Sequence, residues 1–224
     1  MTAMTNIEEL SHHTTYLDGG GKIVILDSGA TLTAEMTSML QALHSRSTGG
    51  IDAHLDVLAT RGADGFMKRY YVRYGHKSIG DCGMGIVFIE GVSMLAAKAI
   101  QDSPLYNGQE ASTRYIPFDR QQIIDPLTTA ASDAILEGWR QFYLQSVAEM
   151  QQALATEHPF VFDPTLESSE ERQQKDWQNA INARAFDITR GFLPAGVSTN
   201  LAWTTTLRQF ADRIAILRNH PLAE

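Results

Sequence analysis

The sequence predicts a mixed α/β protein, a single domain in which a central sheet is flanked by long helices. Three observations carry that expectation. Lys22-Ile23-Val24-Ile25-Leu26 and Ile86-Val87-Phe88-Ile89 are short runs rich in β-branched residues, the pattern of buried strands. Residues 122 to 156 hold the longest helical pattern, with Ala131, Ile135, Trp139, Phe142, Val147, Met150 and Leu154 recurring at steps of three to five. A chain of 224 residues that is 43% hydrophobic and 20% charged suits one folded domain spanning 1–224.

Taken in order, residues 1–20 are polar and run into Gly19-Gly20-Gly21, so they read as an arm or a first edge before the strand at Lys22. Thr33, or Asp27 with Ser28, can cap a helix reaching about His44, with Met36, Met39, Leu40 and Leu43 at helical spacing. A second helix from about Ala53 presents Leu55, Val57 and Leu58 and stops near Gly62. Phe66, Tyr70, Val72 and Tyr74 close a third helical segment, which Gly75 can end in the left-handed conformation. Gly91 is expected to break the strand at Ile86–Ile89, with a helix starting at Val92-Ser93 and ending before Pro104, which lacks the N–H a helix interior needs. Trp177, Ile181, Arg184, Ala185, Ile188 and Phe192 fall on one stripe of a helix ended by Leu193-Pro194-Ala195-Gly196. The acidic SSEER stretch before it is a solvated loop or a helix start. Asn200 to Thr206 leads to a last helix that reads as cut short at Glu224.

Charge narrows the function classes. Lys plus Arg total 18 against 26 Asp plus Glu, a net −8, which argues against a surface that coats nucleic acid, because such binding needs clustered cations. Between Arg184 and Arg218, however, five arginines face two aspartates, a local excess of cations that suits a small anionic ligand. Cys82 is the sole cysteine, so no intrachain disulfide or cysteine-based metal cluster can form, in keeping with a reducing cytoplasmic location. The N-terminus has neither the basic start nor the apolar core of a signal peptide, and no apolar run approaches the roughly 18 residues of a membrane span. Dinucleotide-fold, phosphate-loop, zinc-protease and serine-hydrolase motifs are all missing.

Site-like chemistry is concentrated between Tyr74 and Asp119. His76, Lys77, Ser78 and Asp81 sit on a turn at the end of a helical segment, and Glu110, Ser112 and Arg114 form a compact cluster beyond Pro104. An arginine fork can hold a phosphate by two parallel hydrogen bonds and keeps its charge, so Arg114 is the leading ligand residue. Its plainer alternative is an ion pair with Glu110, worth a few tenths of a kcal/mol if the segment is helical. His76 with Asp81 gives one imidazole and one carboxylate, too few for zinc, which typically takes four ligands, and no metal is expected. Cys82 reads as structural.

The strings GHKS, IEGVS and EASTRY, followed by ARAFDITRGFLPAGVSTNLAWT, resemble in order the flavin-dependent thymidylate synthase family over about Gly75 to Arg208. The wording around IEGVSMLAAKAIQDSPLY is closer to a divergent branch in which the unit is sometimes duplicated in one chain. The resemblance implies the fold of thymidylate synthase-complementing proteins and a homo-oligomer, a tetramer, with shared sites. It implies reductive C5 methylation of a uridine monophosphate, dUMP or UMP, with FAD as cofactor and methylenetetrahydrofolate and NADPH as co-substrates. By the same resemblance Ser112 and Arg114 take the catalytic positions, Glu110, Arg190 and Arg218 join them in binding the nucleotide, and His76, Ser78, Asp81, Thr206 and Arg208 contact the flavin. The partner is a small-molecule nucleotide, with no nucleic-acid polymer and no membrane.

One departure is conspicuous. Family members carry Arg-His-Arg ahead of the Ser-x-Arg-Tyr, and here Asp102, Ser103 and Pro104 occupy that place. The alternative is therefore a degenerate, non-catalytic paralogue that binds nucleotide or scaffolds an active partner.

Overall fold

A computed structural model describes residues 12–26, 32–47, 50–113 and 118–219. It is mixed α/β, as the sequence predicts, with a five-stranded sheet in the order β1-β2-β3-β5-β4. The strands are β1 (His12–Tyr16), β2 (Lys22–Leu26), β3 (Met84–Ser93), β4 (Asn107–Glu110) and β5 (Ser198–Thr206). The helices are α1 (Ala34–His44), α2 (Gly50–Arg61), α3 (Asp64–Phe66), α4 (Met94–Gln101), α5 (Ala130–Glu157), α6 (Glu170–Thr189) and α7 (Leu207–Leu217), with a π-helix at Met67–Arg73 and 3-10 turns at Lys77–Cys82 and Arg190–Phe192. Two compact units are interleaved along the chain: the first comprises Met1–Gly91, Lys98–Gln109 and Asn200–Glu224, the second Val92–Ala97 and Glu110–Thr199.

In the first unit β1 and β2 pair antiparallel with Tyr16 opposite Lys22, joined by a turn in which the Leu17 N–H donates to the Gly21 carbonyl at 2.8 Å. The expected first edge is thus a real strand from His12; the rest of the arm, 1–11, lies outside the described residues. β2 pairs antiparallel with β3, and the directly opposed Lys22 and Glu90 form an ion pair at 3.0 Å. Gly21 lies so close to this strand that a Cβ would meet the Glu90 carbonyl at 2.5 Å. β5 buries every second residue, Thr199, Leu201, Trp203 and Thr205, as a half-buried strand must.

Gly91 does not break β3. The strand passes through it at φ +70°, its N–H accepted by the Asn200 side-chain oxygen at 3.0 Å, and the helix starts only at Met94. A glycine can take this left-handed backbone without leaving the sheet, which composition alone does not distinguish from a stop. Thr33 is the cap of α1, accepting the Met36 N–H at 3.3 Å, whereas Asp27 and Ser28 lie outside the described residues. α2 begins at Gly50, earlier than expected, and its buried residue is His54, edge-on to His44 at 5.6 Å; Leu55 is 44% exposed. Val57 and Leu58, three and four residues on from His54 and so on the same face, are half-buried. The core here joins Ala42, Met67 and Ile79, with Phe66, Tyr70, Tyr71 and Leu207 against it.

The second unit is built on α5 and α6, packed through Leu154, Ile181 and Ala185 with Met150 and Trp177. A further cluster joins Phe118, Tyr143, Val147 and Val197. α5 starts at Ala130, later than residue 122, because residues 122–124 are extended: the Ile124 N–H reaches the Gly196 carbonyl at 2.7 Å and Ile123 bridges Val197. Thr129 caps it with Ser132 in a reciprocal capping box. The predicted stripe divides: Val147 and Leu154 are buried, but Ile135, Trp139 and Phe142 are exposed. α6 begins well before Trp177, since Ser169 caps it and Glu170 and Glu171 fill its first turn, so SSEER is the helix start. Arg184, placed on the apolar stripe by its spacing, is exposed.

Candidate functional site

The turn carrying His76 is built by its neighbours. The π-helix ends at Gly75, at φ +66° as expected of a left-handed glycine, and the His76 N–H donates to the Tyr70 carbonyl at 3.0 Å. Ile79, 2% exposed, anchors the turn in the core. Gly80 lies against the Tyr71 ring, which a Cβ would meet at 2.6 Å. Gly83 is held equally closely by α1, with its carbonyl accepting the Leu207 N–H at 2.9 Å. The side chains of His76, Lys77, Ser78 and Asp81 consequently remain outside.

Two ion pairs tie this turn to α7. Asp81 meets Arg208 at 3.1 Å, and Lys77 meets Asp212 at 3.0 Å. Of the flavin-side residues expected, Asp81 and Arg208 therefore touch, with His76 and Ser78 on the same turn. Thr206 caps α7, its hydroxyl accepting the Gln209 N–H at 3.3 Å, so its visible role is to fix the helix that presents Arg208. The His76 ring lies 6.1 Å from both Tyr70 and Tyr74. Tyr71 is partly buried among these charges, and burial followed by Asp212 pushes its phenol above the ordinary value, leaving it a neutral hydroxyl at neutral pH. Arg218, the weakest of the expected nucleotide ligands, is the exposed C-cap of α7.

In the second unit Glu110 ends β4 and Ser112 follows in irregular chain, both half-buried. The helical Glu110–Arg114 spacing does not arise, since Glu110 is in a strand; Arg114 itself lies outside the described residues. Arg190 caps α6 and pairs with Asp187 at 3.2 Å. At the position of the missing Arg-His-Arg, in the first unit, Asp102 is paired with Lys98 at 2.9 Å one turn back.

Sequence reasoning missed Tyr71, Asp212 and Gln41, whose amide donates to the Cys82 carbonyl at 3.1 Å. No local signal points to them: Lys77 and Asp212 are 135 residues apart. Among the described residues no three His, Cys, Asp or Glu side chains gather as a metal site, and no helix is long and apolar enough to cross a membrane.

The fold is mixed α/β, and its His76 turn, with Arg208 of α7 held by Asp81, presents donors suited to oxyanions. The comparisons make that class specific. The chain belongs to the family described as thymidylate synthase complementing protein, whose model matches residues 30–224. It is similar to a UPF0159 protein of Chlamydia pneumoniae, 29% identical over 168 residues that cover 71% of this chain and 31% of the relative. A UPF0159 protein of Chlamydia muridarum is 28% identical over 176 residues, 75% of this chain and 32% of its own. One from Thermoplasma acidophilum is 24% identical over 187 residues, 72% of this chain and 38% of its own. The chain thus spans about a third of the length of these relatives.

Proposed function

We propose that the chain is a thymidylate synthase-like nucleotide methyltransferase: it binds a uridine monophosphate, dUMP or UMP, and takes part in its reductive C5 methylation with methylenetetrahydrofolate as carbon donor and NADPH as reductant, as a cytoplasmic homo-oligomer, a tetramer. The observation that carries the reading is the family match across 30–224, which includes both the His76 turn and the Glu110-Ser112-Arg114 stretch. Arg114 and Arg190, with Glu110 and Ser112, hold the nucleotide; Arg218 is a further cation for it.

FAD is the cofactor of this reading. The donor set around the His76 turn fits such a group: an exposed imidazole, an exposed hydroxyl and the 40% exposed Arg208 guanidinium held in place by Asp81. Bound there, the flavin supplies the redox chemistry, and the protein binds and orients. His76, Ser78 and Arg208 would hold it, Thr206 fixing the helix that carries Arg208. Ser112 orients the pyrimidine by hydrogen bonding, and no thiol nucleophile is required of Cys82.

A specific observation favours a second reading, the non-catalytic paralogue. Asp102 stands where the first cation of Arg-His-Arg would be, already neutralised by Lys98. The absorbance spectrum of the purified protein, with and without added FAD, separates the two. A flavin spectrum with turnover of dUMP or UMP supports the enzyme; colourless protein that takes up no flavin sinks it. Assaying the two nucleotides side by side decides the sugar.

A further inference from the structure

Beside the His76 turn, an open concavity of about 360 Å³ in the first unit is lined by Gly65, Lys68, Arg69, Arg73 and Tyr74, the last with its ring 6.1 Å from that of His76. Its lining carries three cations and no acid, in a chain whose net charge is −8. No carboxylate among the described residues pairs with Lys68, Arg69 or Arg73, which stand exposed. The winding of the backbone puts them together. In an α-helix residues five apart lie about 140° from each other around the axis, because each residue turns the chain by about 100°. Here Met67–Arg73 is a π-helix, with the Tyr74 N–H donating to the Arg69 carbonyl five residues back at 3.1 Å. That wider turn brings Lys68 and Arg73 to one side, with Arg69 next to Arg73. Arg69 is further preorganised: its guanidinium lies 5.4 Å from the Tyr70 ring centre and 5.9 Å from that of Tyr74. Gly65, also in the lining, has no atom within 4 Å of where a Cβ would stand, so no side chain crowds the concavity there.

Like charges held on one face repel, and a multiply charged oxyanion would offset all three. We propose that Lys68, Arg69 and Arg73 form a binding site for a phosphate-type anion of two or more negative charges, a pyrophosphate or the diphosphate of a nucleotide. The assignment uses none of the residues proposed for the nucleotide and does not depend on the methylation reading. It needs no turnover to test.

Isothermal titration of the full chain with inorganic pyrophosphate should show saturable one-to-one heat. Lys68→Ala/Arg73→Ala should weaken it about a hundredfold and Lys68→Ala alone about tenfold, the scale of lost charge-assisted hydrogen bonds. Circular dichroism is read alongside; if the double variant loses its fold, the single variant carries the test, because Lys68 is exposed and pairs with no carboxylate among the described residues. Arg114→Ala/Arg190→Ala should leave pyrophosphate binding unchanged, and citrate, a carboxylate of similar charge, should bind more weakly. Absence of saturable heat, loss in the Arg114→Ala/Arg190→Ala protein instead, or citrate binding as tight as pyrophosphate would each overturn the assignment. Retained tightness with ADP in place of pyrophosphate identifies a nucleotide diphosphate as the source; weaker binding of ADP identifies the free anion.

Discussion

Gly80 sets how closely the Tyr71 ring can approach the turn that presents His76. A Cβ there would lie 2.6 Å from one ring carbon and 2.9 Å from the next, so either the ring or the turn must move. Gly80→Ala is expected to cost about 1–3 kcal/mol, the usual scale of overpacking, read as a lower urea midpoint at unchanged slope. Arg208 behaves differently. Its pair with Asp81 is 40% and 39% exposed, so solvent screens it and Arg208→Ala should cost under about 1 kcal/mol of stability. If Arg208 serves the flavin, the same variant should lose flavin uptake while its melting curve stays put; unchanged uptake in a fluorescence titration would make the pair merely structural. Arg114→Ala tests the proposed nucleotide ligand: nucleotide binding should weaken by about 1.5–3 kcal/mol, measured by calorimetry, the scale of hydrogen bonds to charged groups.

Elements were legible wherever a local signal was strong. Lys22–Leu26 is a strand at the predicted limits, and Thr33 and Gly75 begin and end helical segments as their chemistry requires. Boundaries failed where a distant segment intervened. The start of α5 moved to Ala130 because the preceding residues pair with Val197 and its neighbours, over seventy positions away. Gly91 illustrates the same point, since its positive φ is used inside a strand that Asn200 secures. The π winding of Met67–Arg73 had no sequence signature either, because its apolar spacing also fits an ordinary helix. At this scale Gly108 offers a sharp test. A Cβ there would overlap the Ala202 carbonyl, so Gly108→Ala should detach β4 from β5 and raise amide exchange along both strands; unchanged protection would contradict the close approach.

For the whole molecule, pH bounds the folded state from both sides. Asp125 is held below the usual carboxylate range by the Ser132 hydroxyl and then the Leu127 N–H, Glu137 by Gln141 and Arg140, and Asp163 by Thr165. A lowered folded pKa means stability present above the unfolded value, about 4, and lost as pH falls through the folded one. Burial raises Tyr71 and Tyr143. Their contribution is complete below the unfolded tyrosine value of about 10 and is lost as pH rises through the folded one. Melting temperature should therefore be flat near neutrality and fall below pH about 4 and above about 10. A Tm still rising as pH drops from 4 to 3 would contradict the carboxylate assignments.

By itself the sequence determined the mixed α/β class and the family, and it named the residues of a candidate site, because strand runs, caps and short motifs are written in neighbouring residues. Only the tertiary structure decided which of those residues meet. Asp81 with Arg208, Lys77 with Asp212, and Gly80 under Tyr71 join segments far apart in the chain or set a spacing that local pattern does not encode. The physical reason is that packing and charge pairing act through space, while propensity acts along the chain. Whether three cations face one concavity therefore depended on how the segment Met67–Arg73 is wound, between a buried Met67 and the left-handed Gly75.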